Sequence, residues 1–309
     1  MKDKQIVYID TDIGLGTLGA EIDDATALMM LLHNAAIQVV GIGSVFGNVP
    51  VKDSAANLAR FVKFFKRDDI PLGFGADHPL EGDLAWFDGW KQGYEKTLSY
   101  EGELPRTNSC DLLIDCVRKY PDQVSVLTLG PMTNIALAIQ KSPEIISKVK
   151  EVIAMGGSFD ECPSSPEFNI HCDPVAADKV IHTGWPVTLL GLEVTRKASF
   201  TKAEFLALKD ADPATALLKS QAAGWIDRVA SKGWEKDGCA LHDAVAAVYF
   251  LDKGLFKTVQ VEVHVSMEKG ASWGMTYIKE ASSISGKIRV VKEMDVKRCR
   301  KMIWASINR

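Results

Sequence analysis

No run of five or more basic residues interrupts this 309-residue chain, and 36 Lys and Arg against 40 Asp and Glu leave a formal net charge of −4. Such a surface offers no electrostatic footprint for nucleic acid. No stretch of about 18 consecutive apolar residues is present, so no membrane span is expected. The first residues, MKDKQ, have no apolar signal core, which makes a cytoplasmic location the expectation. The six cysteines, Cys110, Cys116, Cys162, Cys172, Cys239 and Cys299, form no Cys-x-x-Cys pair and no spacing to histidine that suggests zinc. In a chain of this size they are predicted to be free thiols in a reducing compartment, with no context for a catalytic cysteine. Internal repeats and low-complexity linkers are also missing. With 47% hydrophobic residues to fill a core, one domain over residues 1–309 is expected.

What is present concentrates in residues 6–33, IVYIDTDIGLGTLGAEIDDATALMMLLH. An apolar strand, Ile6-Val7-Tyr8-Ile9, runs into Asp10 and Asp12, a glycine-rich loop follows, and Asp23 and Asp24 open an apolar helix. Four carboxylates therefore meet at one strand-to-helix crossing. Like charges a few ångström apart repel, and a partly buried carboxylate is costly unless neutralised. The helix amino terminus supplies only about half a unit of positive charge. A divalent cation would supply the rest, and all-oxygen ligands suit calcium or magnesium rather than zinc. The plainer alternative makes Asp23 a helix cap and leaves Asp10 and Asp12 in an ordinary turn.

Further along, apolar strands are predicted at 37–46, 71–75, 124–129, 149–155 and 187–192, with helices at 51–66, 110–118, 135–140 and from Pro174 onward. Helices at 201–209, 213–231 and 244–251 follow, then strands at 258–267 and 287–291 and a helix at 295–307. The repeated strand, tight turn and helix predict an α/β fold, a single open, mainly parallel, Rossmann-like sheet with helices on both faces. Ligands in such sheets sit beyond the carboxyl ends of the strands. The acidic loop, Asn48, the Leu129-Gly130 turn and Gly156-Gly157 all fall at that edge. Residues 76–107 form a long irregular stretch carrying Trp86, Phe87, Trp90 and Tyr94, and loops of that length are usually functional. The spacing 86, 90, 94 also suits a helix that buries a stripe. Residues 158–173 read as a polar loop.

His242-Asp243 opens an apolar helix near the far end of the chain, much as Asp23-Asp24 does near the start. In order, Asp10-Thr11-Asp12, Asp23-Asp24, Gly47-Asn48, Gly130-Pro131-Met132-Thr133-Asn134, Glu167-Phe168-Asn169 and Leu241-His242-Asp243 resemble the inosine-uridine type nucleoside hydrolases. The resemblance runs from about residue 6 to the last helix and implies a calcium-dependent N-ribohydrolase, usually a homodimer or homotetramer. Carried onto matching positions, Asp12, Asp24, Asp243 and the backbone carbonyl of Leu129 look like calcium ligands, with Asp10 close enough to support them. Asp23, Asn48, Glu167 and Asn169 look like contacts to the ribose hydroxyls, which complete the metal shell in this family.

That activity would release free base and ribose from ribonucleosides, as in nucleoside salvage, with a calcium-bound water as nucleophile. Asp12 would take the proton from that water, and His242, with a pKa near neutrality, would protonate the departing base. Trp86 and Trp225 are candidate stacking partners for the base, with a slight lean towards purines. Three departures stand out. Residues 15–22 lengthen the loop before Asp23, the family's asparagine before Glu167 has no match beyond nearby Asp160 and Glu161, and the histidine after the third strand is missing. Two rival readings are a haloacid dehalogenase-like phosphatase, whose first aspartate would be the nucleophile, and a metal-bound ribose-sensing protein without turnover.

Overall fold

A computed structural model describes residues 4–160, 165–279 and 288–309. The expected Cys162 and Glu161 lie outside the described residues, as does the side chain of Trp86. The first strand, β1 (Gln5–Thr11), is followed by α1 (Asp23–Leu32), β2 (Ile37–Ser44), α2 (Val51–Phe64) and β3 (Leu72–Phe74). Next come α3 (Ala85–Trp90), β4 (Thr107–Asn108), α4 (Ser109–Lys119), β5 (Val124–Thr128), α5 (Thr133–Lys141) and β6 (Glu151–Met155). The helices α6 (Phe168–Cys172) and α7 (Pro174–Ile181) lead to β7 (Val187–Leu190), α8 (Leu192–Thr195), β8 (Ser199–Thr201), α9 (Lys202–Leu206) and α10 (Pro213–Ser231). The chain then runs through β9 (Gly238–Ala240), α11 (His242–Leu251), β10 (Phe256–Gln260), β11 (Glu262–Val265), β12 (Thr276–Lys279), β13 (Ile288–Met294) and α12 (Val296–Ile307).

Among the described residues one sheet of nine strands runs in the order β10-β13-β7-β6-β5-β1-β2-β3-β4. Every pairing in it is parallel except β10 with β13. The predicted mainly parallel α/β sheet is therefore what the chain forms. Alternation along β1 explains the two covered faces: Val7 and Ile9 enter a core built with α1, α2, α10, α11 and α12, whereas Ile6 and Tyr8 enter one built with α4, α5 and α7. Strands buried on both sides read as continuous apolar runs, which is why they were easy to place.

The differences are local. The strand expected over 258–267 is split between β10, at the sheet edge, and β11, which pairs with β12 in a separate two-stranded ribbon. The loop expected over 158–173 contains the short helix α6, whose backbone N–H groups at Asn169 and Ile170 are capped by the Glu167 carboxylate. The irregular stretch over 76–107 contains α3. Helix α10 opens on Pro213, with the Asp212 carboxylate accepting from the N–H groups of Ala214 and Thr215 at 2.9 Å each.

Candidate active site

The central strand β1 ends between β2 and β5, so the residues just past all three strands share one edge. Asp12 follows β1, Asn48 lies four residues beyond β2, and Leu129 follows β5. Helices α1 and α11 pack side by side and bring their amino termini to the same place. The backbone N–H of Asp243 donates to the Asp23 carboxylate at 3.1 Å across 220 residues of sequence. Carboxylate oxygens of Asp23, Asp24 and Asp243 all lie within 4.8 Å of one another, close enough to share one cation. Asp23 thus stands inside the acidic group, a closer place than its expected role at the ribose alone.

Asp12 sits beside this trio. Its Oδ2 accepts from the Asn48 backbone N–H at 2.6 Å, while the Asn48 side-chain amide donates to Asp24 at 3.2 Å. Gly47 and Gly130 make room for it, since a Cβ on either would stand 2.0 Å and 2.8 Å from an Asp12 oxygen. Thr11 donates to the other Asp24 oxygen. Asp12 Oδ1 and Asn48 Oδ1, by contrast, are buried with no hydrogen-bond partner among the described residues. A buried acceptor left bare costs about 1–3 kcal/mol, so each points to something the protein itself does not supply.

Burial pushes the carboxyls of Asp12 and Asp243 well above the usual range, and the neighbouring carboxylates push the same way. Asp23 and Asp24 are raised too, chiefly by burial. All four shifts run in the direction of a packed acidic cluster that favours a positive counter-charge, whether protons or a cation.

Asp10 stands apart. It is fully buried, and its two oxygens accept from the Asn134 amide at 3.0 and 3.2 Å. Burial raises its pKa to about 8. Expected to lie close to the metal, it is held by Asn134 in the first turn of α5 and is not one of the three clustered carboxylates.

Above the acidic group opens a cavity of about 780 Å³, lined among others by Glu21, Asp23, Asn48, Leu129, Met155, Glu167, Asn169, His242 and Asp243. Glu167 accepts three backbone N–H groups, from Gly157, Asn169 and Ile170, and burial lifts its pKa to about 7 against them. The Asn169 amide donates to the carbonyls of Leu129 at 2.7 Å and Met155 at 3.2 Å, fixing the turn that carries the expected carbonyl ligand. His242 Nδ1 shares a 2.7 Å hydrogen bond with the Thr195 hydroxyl. Burial, and then Arg196, lower the His242 pKa to about 4. The expectation of a pKa near neutrality is corrected: desolvation holds this ring neutral.

The opposite side of the cavity is aromatic. Trp90 lies against Phe168 at a 30° tilt with ring centroids 4.2 Å apart and stacks on Trp234 at 5.5 Å, and Trp225 meets Trp234 edge-on at 6.4 Å. Trp225 lines the cavity but is only 2% exposed and belongs to the core, so it serves both purposes. Phe87 is buried and does not line the cavity, and the Trp86 side chain is outside the described residues. Sequence reasoning missed Trp234, Thr195, Arg196 and Glu21, and named Phe168 only within its motif. Glu21 had a signal, the unusually long loop over 15–22, which here adds the Glu21 carboxylate to the cavity lining. That loop also anchors the aromatic segment: Leu18 and Gly16 carbonyls accept from Glu95 and Leu98 N–H groups at 2.9 and 2.8 Å.

Asp160, offered in place of the missing asparagine, is exposed and does not line the cavity. The five described cysteines are free and buried. No described helix is long and apolar enough to cross a membrane.

With this geometry in place, the sequence profile of one family, inosine-uridine preferring nucleoside hydrolase, matches residues 7–301. The chain belongs to that nucleoside hydrolase family. Among its relatives, a pyrimidine-specific ribonucleoside hydrolase RihA of Salmonella arizonae is 29% identical over 283 residues, covering 89% of this chain and 91% of that one. A probable uridine nucleosidase 2 of Oryza sativa subsp. japonica is 33% identical over 213 residues, 66% of this chain and 61% of the relative. Of solved structures, a purine-preferring ribonucleoside hydrolase from Gardnerella vaginalis superposes with a TM-score of 0.83 at 25% identity, covering 98% of each chain. A plant nucleoside hydrolase shares the fold with a TM-score of 0.85 at 24% identity, covering 98% of this chain and 99% of that one. As a nucleoside hydrolase the chain is an enzyme, which leaves the phosphatase and the non-catalytic sensor behind.

Proposed function

We propose that this chain hydrolyses the N-glycosidic bond of ribonucleosides at the cavity above Asp23, Asp24 and Asp243, with calcium as the metal. The observation that carries the reading is the buried Asp12 Oδ1, free of any protein donor beside three clustered carboxylates. The donors fit a hard cation: Asp12, Asp24 and Asp243 through carboxylates and Leu129 through its carbonyl, all oxygen. Calcium held there would offset their charge and supply Lewis acidity for activating a water.

The chain's own groups then divide the work. N-glycosidic hydrolysis passes through an oxocarbenium-like ribosyl centre, by analogy with glycosides, so a water must lose a proton on one face while the base departs on the other. Asp12 takes that proton at Oδ1, because Asn48 already occupies Oδ2. Asp23, Asn48, Glu167 and Asn169 line the cavity where the ribose hydroxyls would lie, and the free Asn48 Oδ1 is an acceptor for one of them. His242 lines the cavity and is held at Nδ1 by the Thr195 hydroxyl, which also reaches the Gly191 carbonyl at 3.2 Å, so Nε2 is the ring nitrogen left to meet the departing base.

For the base itself the relatives point both ways, one named pyrimidine-specific and one purine-preferring. The wide aromatic wall of Trp90, Phe168, Trp225 and Trp234 favours the larger purine ring. Assembly as a homodimer or homotetramer, and a cytoplasmic role in nucleoside salvage, belong to the same proposal. Inosine, guanosine, uridine and cytidine assayed with and without EGTA, alongside metal analysis, test it. Release of ribose that stops in EGTA and about one calcium per chain are expected; full activity in chelator from metal-free protein would overturn it.

A further inference from the structure

Arg228, in the last turn of α10, does not line the cavity, yet it grips the segment that supplies the cavity's central ring. Its two terminal nitrogens donate to the backbone carbonyls of Trp90 and Gln92. Trp90 closes α3, so its carbonyl has no partner within that helix, and a cation there caps it. The same guanidinium lies 4.6 Å from the Tyr94 ring centroid and 5.7 Å from that of Trp90, within cation–π range of both. Only a planar fork can bond two carbonyls and face two rings at once.

The downstream part of the segment is secured elsewhere. Residues 95–98 are tied to the long loop after β1, by the Glu95 and Leu98 N–H bonds and by a 2.8 Å contact between the Thr17 and Thr97 hydroxyls. That loop is in turn tied to α10 through Gly16 N–H and Gln221 at 2.9 Å. Upstream, where Trp90 stands, the hydrogen bonds from α10 among the described residues are those of Arg228. Trp90 is also the middle ring of the stack with Phe168 and Trp234. Its position therefore decides whether the wall is a continuous aromatic surface or an open gap.

We propose that Arg228 is a positioning residue for nucleobase recognition: it holds the end of α3 against α10 so that Trp90 stays in the cavity wall, without meeting the substrate itself. The proposal rests on the nucleoside hydrolase reading of this cavity, and it separates binding of the base from binding of the sugar. Loss of the tie frees Trp90 but leaves Asp23, Asn48, Glu167 and Asn169 where they are.

The test compares wild type with Arg228→Ala and Arg228→Lys. For Arg228→Ala, KM for inosine and the dissociation constant of free hypoxanthine, read by tryptophan fluorescence, are expected to rise about tenfold, the scale of one lost stacking contact. Expected alongside are a kcat within about twofold of wild type, unchanged inhibition by ribose and a melting temperature within a few degrees of wild type, since Arg228 is half-buried and lies outside the core clusters. Arg228→Lys should recover part of the hypoxanthine affinity, one ammonium replacing one of two bonds. Unchanged hypoxanthine binding in Arg228→Ala overturns the proposal, and so does equal weakening of hypoxanthine and ribose, which would make Arg228 a general structural support. Hypoxanthine binding needs no turnover, so a wild type that binds the base but hydrolyses nothing would sink the enzymatic reading while still testing this one.

Discussion

The acidic floor of the cavity draws on the ends of β1, β2 and β5 and on the first turns of α1 and α11, whereas the aromatic wall draws on α3, α6, α10 and the turn that follows α10. Floor residues are fully buried, and each is pinned by a neighbour: Asp12 by Asn48, Asp24 by Thr11 and Asn48, Asp23 by Asp243, Leu129 by Asn169. Wall residues range from Trp225 at 2% exposure to Trp234 at 51%. The floor is built like a core with polar contents, and the wall like a surface folded over a ligand. A site can in this way keep its chemistry on rigid strand ends and leave its selectivity to loops.

The sharpest way to break this comparison is to attack the floor. Asp12→Ala removes the proton acceptor and Asp24→Ala one arm of the acidic trio, and each should lower kcat on inosine by at least about 10²–10⁴-fold while base binding, measured with hypoxanthine, stays near wild type. If hypoxanthine affinity collapses along with turnover, floor and wall are one unit and the division fails.

A smaller effect sharpens the wall. Trp90→Ala should raise KM for inosine about tenfold with little change in melting temperature, because that ring is only partly buried and stacking is worth about 1–3 kcal/mol per base. Trp225→Ala should raise KM and also destabilise the fold by about 3–5 kcal/mol, because its ring is packed in the core. Equal melting temperatures for the two variants, by thermal denaturation, would show that the wall does not grade from surface into core.

A further test concerns Asp10, beside the floor's first strand. Burial raises the Asp10 pKa from 3.8 to about 8, so the folded protein holds a proton there that the unfolded chain releases. Stability from this group is present in full below about pH 4 and is lost as the pH rises towards 8. In metal-free protein the melting temperature should fall over that window, and Asp10→Asn, which has no proton to lose, should flatten the slope. An unaltered slope would place the titration elsewhere.

Much of the floor was legible in the sequence because its residues sit at short offsets from apolar strands: a strand buried on both faces announces itself, Asp12 and Leu129 directly follow two of them, and Asn48 lies four residues past a third. Asp23-Asp24 and His242-Asp243 were legible as acidic openings of apolar helices. What sequence alone could not show is that α1 and α11 pack together, since packing is decided by faces rather than by order along the chain; only the fold brings Asp243 to Asp23. The His242 pKa was misjudged for the same reason, because desolvation depends on what surrounds the ring. The wall was least legible. Trp86, Phe87, Trp90 and Tyr94 share a helical spacing, but whether each ring meets the core, the cavity or Arg228 depends on contacts with α10 more than a hundred residues away. Chain order and hydrophobic period determine a parallel sheet and the strand ends that carry acid; long-range packing, which no local pattern encodes, decides which rings close over them.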